Sequence, residues 1–152
     1  MDISRLFKEA REDPTLISTI NTKELLKSID YEKHDYLANQ TFDSISIDVF
    51  DSLVKLNIRK EFMPTILERL SGYRHVDELH LLQKGKYIRW IRHDEPEKLM
   101  RGGVVIDIQF SDFGANILCR LVTGNFLKYR FDKCNTYQKL TEEDCMFLMS
   151  SS

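Results

Sequence analysis

Glycine and proline are scarce in this chain, with six of one and three of the other among 152 residues. That excludes a collagen-like repeat and a Gly/Pro-rich low-complexity chain. No apolar run approaches the roughly 18 residues that a membrane-spanning helix needs, so no contact with a membrane is expected. Cysteine is equally sparse. Cys119, Cys134 and Cys145 are odd in number and irregular in spacing, which argues against a disulfide framework and for a reducing, intracellular compartment. Cys119 sits among apolar neighbours in Ile117-Leu118-Cys119-Arg120-Leu121 and reads as a small core residue. The opening Met1-Asp2-Ile3-Ser4-Arg5 has none of the apolar character of a secretory leader. Neither sign of charge dominates. A net charge of −2 gives no global field to draw the chain to nucleic acid or lipid.

With 42% apolar and 30% charged residues, the composition is that of an ordinary globular chain, long enough for a core without staples. The charge is mildly uneven. Residues 1–80 carry 11 Lys/Arg against 15 Asp/Glu, a net of −4, and residues 81–152 carry 11 against 9, a net of +2. A change of hydrophobic period falls near the same place. Up to residue 80 the signals are helical. Asp13-Pro14 offers a cap followed by proline at the first helical position, and Asn21-Thr22-Lys23-Glu24 is a variant capping box ahead of Leu25, Leu26 and Ile29. Tyr31 to Gln40 reads as a loop. Val49, Phe50, Leu53, Val54 and Leu56 suit one helical face. Phe62, Met63, Ile66, Leu67 and Leu70 predict another helix, with Pro64 in its first turn and Gly72 beyond its end.

After His80 the pattern alternates. Tyr87–His93 is rich in β-formers. Val104, Ile106, Ile108 and Phe110 are expected on one face, with Val105, Asp107 and Gln109 on the other. Ser111–Asn116 is a turn. Ile117–Val122 is a third strand, Thr123-Gly124-Asn125 a tight hairpin turn, and Phe126–Phe131 a fourth strand with Leu127, Tyr129 and Phe131 inward. Thr136–Leu140 supplies a short fifth strand. Thr141-Glu142-Glu143-Asp144 reads as a helix cap before Met146–Met149. The expected fold is α+β: a helical region over 1–80 packed on a small antiparallel β-barrel, SH3-like or Tudor-like, over 81–152. An open sheet under the helices is the competing arrangement.

Chemistry-bearing motifs are missing. There is no phosphate loop, no nucleophile elbow and no His-Glu-x-x-His. Gly102-Gly103 precedes a strand instead of a helix N-terminus and reads as a turn pair. His75 and His80 are badly spaced for a shared metal, and Cys134 and Cys145 lack a close Cys-x-x-Cys partner. No catalytic residue, metal or cofactor is expected. The strongest candidate surface is basic and aromatic. Lys84, Lys86, Arg89, Arg92, Lys98 and Arg101 surround Tyr87 and Trp90, a mixture able to neutralise phosphates and stack a base. Ile88 and Trp90 share one strand face, however, which points the tryptophan at the core and sets Arg89 and Arg92 on opposite faces. A second candidate is the outward row Phe126, Lys128 and Arg130, an aromatic flanked by cations that suits a protein interface or packing beneath the helices.

Leu82-x-x-Gly85-Lys86-Tyr87-Ile88-Arg89-Trp90-Ile91, followed by Leu99-Met100-Arg101-Gly102-Gly103-Val104-Val105, resembles small uncharacterised β-barrel proteins of large DNA viruses and some phages. The resemblance spans roughly residues 81 to 131. It implies a viral structural or assembly module without catalysis, associated with the virion, and brings no catalytic residues with it. The expected function is a non-enzymatic protein-interaction module. The alternative is a single-stranded nucleic-acid binder. Lys84, Lys86, Tyr87, Arg89, Arg92, Arg101, Phe126, Lys128 and Arg130 are the candidate contacts for either partner.

Overall fold

The structure, a computed structural model, describes residues 37–151. The expected helix start at Asp13-Pro14, the capping box at Asn21–Glu24, the stripe Leu25, Leu26 and Ile29, and most of the Tyr31–Gln40 loop lie outside them. The fold is α+β. Two compact units are present, one comprising residues 43–139 and the other 1–42 with 140–152. The first contains a six-stranded antiparallel sheet and two helices, α1 (Phe42–Lys55) and α2 (Met63–Arg69). The strands are β1 (Tyr73–Val76), β2 (Tyr87–Arg92), β3 (Gly103–Ser111), β4 (Gly114–Leu121), β5 (Phe126–Arg130) and β6 (Cys134–Lys139), in the order β1-β6-β2-β3-β4-β5. In the second unit, α3 (Glu142–Ser151) opens on a capping box. The Asp144 carboxylate accepts from the Thr141 backbone N–H at 2.8 Å, and the Thr141 hydroxyl accepts from the Asp144 N–H at 3.1 Å, which satisfies donors that a helix start leaves open.

The helices present are therefore not an N-terminal half. Two precede the sheet, a third follows it, and the chain turns to β structure at Tyr73–Val76, inside the stretch expected to be helical. In α1 the buried positions are Ile45, Val49, Ser52 and Leu53, the spacing of one helical face. Phe50 and Val54, expected on that face, are exposed at its flank. Proline 64 lies in the first turn of α2, and the chain leaves through Gly72 at φ +84°, a conformation that glycine adopts without a Cβ penalty.

Two clusters use opposite faces of the sheet. Val49, Leu53, Ile58, Ile66 and Leu70 pack on Ile91 and Tyr137. Ile88, Trp90, Val105, Ile117, Cys119, Tyr129 and Cys134 form the other cluster. Burying each large apolar side chain stabilises the fold by roughly 1.5–3 kcal/mol. A polar tie fixes α1 to β6. The Ser52 hydroxyl donates to the Val49 carbonyl at 2.6 Å, so at its 2.8 Å contact with the Tyr137 hydroxyl it accepts. The Asn135 amide donates to the same tyrosine oxygen at 3.3 Å. Tyr137→Phe removes that buried donor and acceptor, and urea denaturation is expected to show a loss of about 1–2 kcal/mol with the m-value unchanged.

The barrel expected over residues 81–152 does not close. Closure would need β5 to pair with β6, but β2 lies on one side of β6 and β1 on the other, in the register Tyr73–Lys139 to Val76–Thr136. The sheet nevertheless curls. Two strands separate β2 from β5, yet the Trp90 and Tyr129 rings stack at 4.6 Å, and the Tyr129 hydroxyl meets the Thr136 hydroxyl of β6 at 2.8 Å. Side chains, not a backbone ladder, bridge the gap. A bulge in β3 sharpens the bend. The register steps from Val105–Cys119 to Asp107–Leu118, so Ile106 has no partner on β4. The expected alternation is thereby reversed halfway along the strand. Val105 faces the core before the bulge and Ile108 packs on it after, while Ile106 and Phe110 are exposed.

His75 on β1 lies 5.3 Å from the Tyr137 ring. Burial pulls its pKa below the ordinary 6.5, against the opposing pull of Asp77 and Asp48. The unfolded chain then takes up a proton that the folded chain resists, so stability is expected to fall as the pH drops below about 6.5. Chemical denaturation between neutral and mildly acidic pH checks this. His75→Gln should flatten that part of the profile; an unchanged slope would remove His75 as its source.

Candidate basic–aromatic surface

Paired residues in an antiparallel sheet share a face, so the register sorts the candidate residues. Tyr87 pairs with Val104, Val104 with Arg120, and Arg120 with Phe126, giving one row across four strands. Beside it lie Asp107, Leu118 and Lys128, and then Gln109, Asn116 and Arg130. Tyr87, Arg89, Phe126, Lys128 and Arg130 therefore occupy a single face, the one whose other end is covered by α1 and α2. Arg92 pairs with Cys134 and belongs to the opposite face, as its separation from Arg89 predicts. Arg120 was not among the expected contacts, although its place between inward Cys119 and Leu121 was the signal for it. The outward placement of Phe126, Lys128 and Arg130 and the burial of Trp90 agree with the sequence pattern.

Much of the basic set is occupied in holding the fold. The Tyr87 hydroxyl donates to the Arg101 carbonyl at 2.7 Å, and the Arg89 guanidinium donates to the Met100 carbonyl at 2.9 Å, so both brace the segment between β2 and β3. Lys84 pairs with Asp107 at 3.1 Å and Arg92 with Asp94 at 2.7 Å. The Lys84 ammonium, helped by the Ile108 N–H, holds the Asp107 carboxyl below its usual range. Arg130 chelates Asp132 and also donates to the Phe113 carbonyl, clamping the β3–β4 turn to the end of β5. Gly114 turns the hairpin at φ +125°, a conformation that favours glycine, and a Cβ there would make only ordinary contacts of 3.6 Å with the guanidinium and the Asp132 carboxylate. Lys86 contributes backbone to the strand start, accepting from the Val105 N–H at 3.0 Å. Arg101 is exposed beside Gly102.

Arg120 and Lys128 remain unengaged at the β4–β5 end of the shared face. Among the described residues, no carboxylate lies within ion-pair distance of Arg120 or Lys128. Phe126 stands beside them with 62% of its surface exposed. Phe110 and Phe113, exposed at 77% and 79%, project from the β3–β4 hairpin. A separate depression of about 470 Å³ is lined by Phe62, Glu95, Pro96, Glu97 and Lys98. Arg59 grips Glu97 through two bonds of 2.8 and 2.6 Å and lies 4.8 Å over the Phe62 ring. That bidentate contact lowers the Glu97 pKa and raises that of Arg59.

No family model, curated protein or solved structure matches this chain.

Among the described residues there is no group of three or more His, Cys, Asp or Glu side chains placed to hold a metal ion, and no helix is long and apolar enough to cross a membrane. Burial pushes the Cys119 thiol up to about 12 and the Cys134 thiol to about 11. Both remain protonated at neutral pH and are poor nucleophiles.

Proposed function

We propose that the chain is a non-enzymatic protein-interaction module, and that the β-rich part is an SH3-like roll left open by β1. Support for the roll comes from the strand order β6-β2-β3-β4-β5 and from the short 3₁₀ turn at Phe131–Lys133 between β5 and β6. Support for the interaction role comes from one observation above the rest: Phe126 lies exposed beside Arg120 and Lys128, two cations with no carboxylate partner among the described residues. An aromatic anchor with unspent charge beside it suits a protein interface. A viral assembly role, as the strand-and-turn resemblance implies, and a place in the virion belong to the same proposal.

Single-stranded nucleic acid is the second reading, and Arg120 and Lys128 are the residues that favour it. It is the weaker one because Trp90, the best stacking ring, is buried, and Arg89 and Arg130 are tied to backbone carbonyls. Fluorescence anisotropy with short labelled oligo-dT and oligo-U, at low and physiological salt, separates the two. Absence of binding at both salts is expected. Saturable binding that collapses with salt, with a slope made shallower in Lys128→Ala, would replace the protein reading with the nucleic-acid one.

A further inference from the structure

We infer that the open edge of β5 takes an extended acidic segment of a protein partner as an added antiparallel strand. This deepens the interaction reading above and rests on it. Among the described residues β5 ends the sheet and pairs with β4 alone. The Leu121 N–H donates to the Asn125 carbonyl at 2.8 Å, which fixes the parity of the ladder. Two and four residues on, Cys119–Leu127 and Ile117–Tyr129 exchange backbone bonds. Phe126, Lys128 and Arg130 fall at the intervening positions, and their N–H and C=O groups point away from β4, toward the open edge. The residues that present free backbone groups are thus the same three whose side chains lie on the basic–aromatic face.

Charge selects the occupant. A strand added here would place its residues directly across from Phe126, Lys128 and Arg130 on one face. The Arg130 charge is held by Asp132, whereas Lys128 at the centre and Arg120 on the adjacent strand have no carboxylate among the described residues. Opposite charges on facing strands attract and like charges repel. An acidic residue across from Lys128 completes the row. A second copy of this chain does not fit. Antiparallel pairing of two whole β5 strands would set Lys128 directly opposite Lys128. A lysine at mid-edge deters self-pairing, and the same lysine rewards an acidic strand.

The test uses the full chain and two short labelled peptides, one alternating Glu and Val and the other alternating Lys and Val, with amide exchange followed residue by residue. The Glu–Val peptide is expected to bind and to slow exchange at the Phe126, Lys128 and Arg130 amides while leaving Leu127 and Tyr129 little changed. Lys128→Glu, checked for an unaltered circular dichroism spectrum, should weaken it by about tenfold or more and admit the Lys–Val peptide. Equal binding of both peptides, or binding without protection of those three amides, would overturn capture at the β5 edge and leave the interaction reading standing. Binding of oligo-dT or oligo-U in place of either peptide would overturn both.

Discussion

Gly102→Ala is expected to lower the midpoint of thermal unfolding by roughly 6–12 °C, corresponding to about 3 kcal/mol. Two independent costs meet at this residue. Its φ is +90°, where an L side chain is strained by about 1–2 kcal/mol. In addition, a Cβ there would sit 1.9 Å from the Ile88 carbonyl oxygen and 3.0 Å from Cγ of Arg89. The first contact is with strand backbone, so no flexible side chain can yield, and forcing such an atom in costs about 1–3 kcal/mol more. Neighbouring glycines separate the two terms. At Gly124 φ is also +90°, but nothing lies within 4 Å of the added Cβ, so alanine there should cost only about 1 kcal/mol. At Gly103 the reverse holds: φ is ordinary and the Arg120 carbonyl oxygen lies 2.4 Å from the added atom. Thermal unfolding by circular dichroism should rank the three with Gly124→Ala mildest and Gly102→Ala worst. If Gly102→Ala melts with Gly124→Ala, the close approach of β2 is not what requires the glycine.

The same glycine pair marks how far the sequence could be read. A turn was legible at Gly102-Gly103, because two glycines before an alternating run leave few other accounts. Its deeper reason, contact with the backbones of β2 and β4, depends on strands distant in sequence. Local signals fared well wherever one residue decides the geometry. Pro64 and Gly72 bounded α2, Thr141 and Asp144 capped α3, and Gly124 at φ +90° turned the β4–β5 hairpin. Alternation sorted the faces of β4 and β5 correctly because both keep period two, although β4 begins at Gly114, inside the expected Ser111–Asn116 turn, and ends at Leu121, one residue before the expected Val122. It failed in β3 because a bulge at Ile106 inserts one residue, and nothing in a run of Val, Ile and Asp announces where the parity slips. β1 was missed since four residues, Tyr-Arg-His-Val, carry too little pattern. Without β1, a curled sheet over 81–152 naturally reads as a closed barrel.

The candidate site was legible in part for a related reason. A strand's outward row can be counted off its inward one, which located Phe126, Lys128 and Arg130. Whether a cation is spent depends on acceptors elsewhere. Tyr87 and Arg89 donate to the carbonyls of Arg101 and Met100, and every residue type offers a carbonyl, so composition gave no hint that these side chains brace a loop. Arg120 shows the opposite error. It was not among the expected contacts, and it gains meaning only when pairing sets it between Val104 and Phe126.

Trp90→Ala is expected to be the most damaging core substitution, at about 3–5 kcal/mol. Trp90 is 2% exposed, and its ring stacks on Tyr129 with the planes only 17° apart. Since β5 and β6 share no ladder, this stack and the Tyr129–Thr136 hydrogen bond are the contacts that draw β5 back over the sheet. A cycle between Trp90→Leu and Tyr129→Leu should return a coupling of about 0.5–1.5 kcal/mol beyond the separate losses of buried area. Trp90→Phe distinguishes a bridge from mere filling. It keeps an aromatic ring but shortens its reach, so the Leu127 and Tyr129 amides, bonded to β4, should exchange faster, while amides in the β2–β6 ladder change little. A uniform rise across all strands would mean that Trp90 supports the core at large. A rise confined to β5 would mean that the curl, and with it the placement of the open edge, depends on one ring stack. Trp90 is also the only tryptophan, so its emission maximum reports the stack directly. It should shift to the red when Tyr129→Leu opens one face of the indole, before any loss of secondary structure.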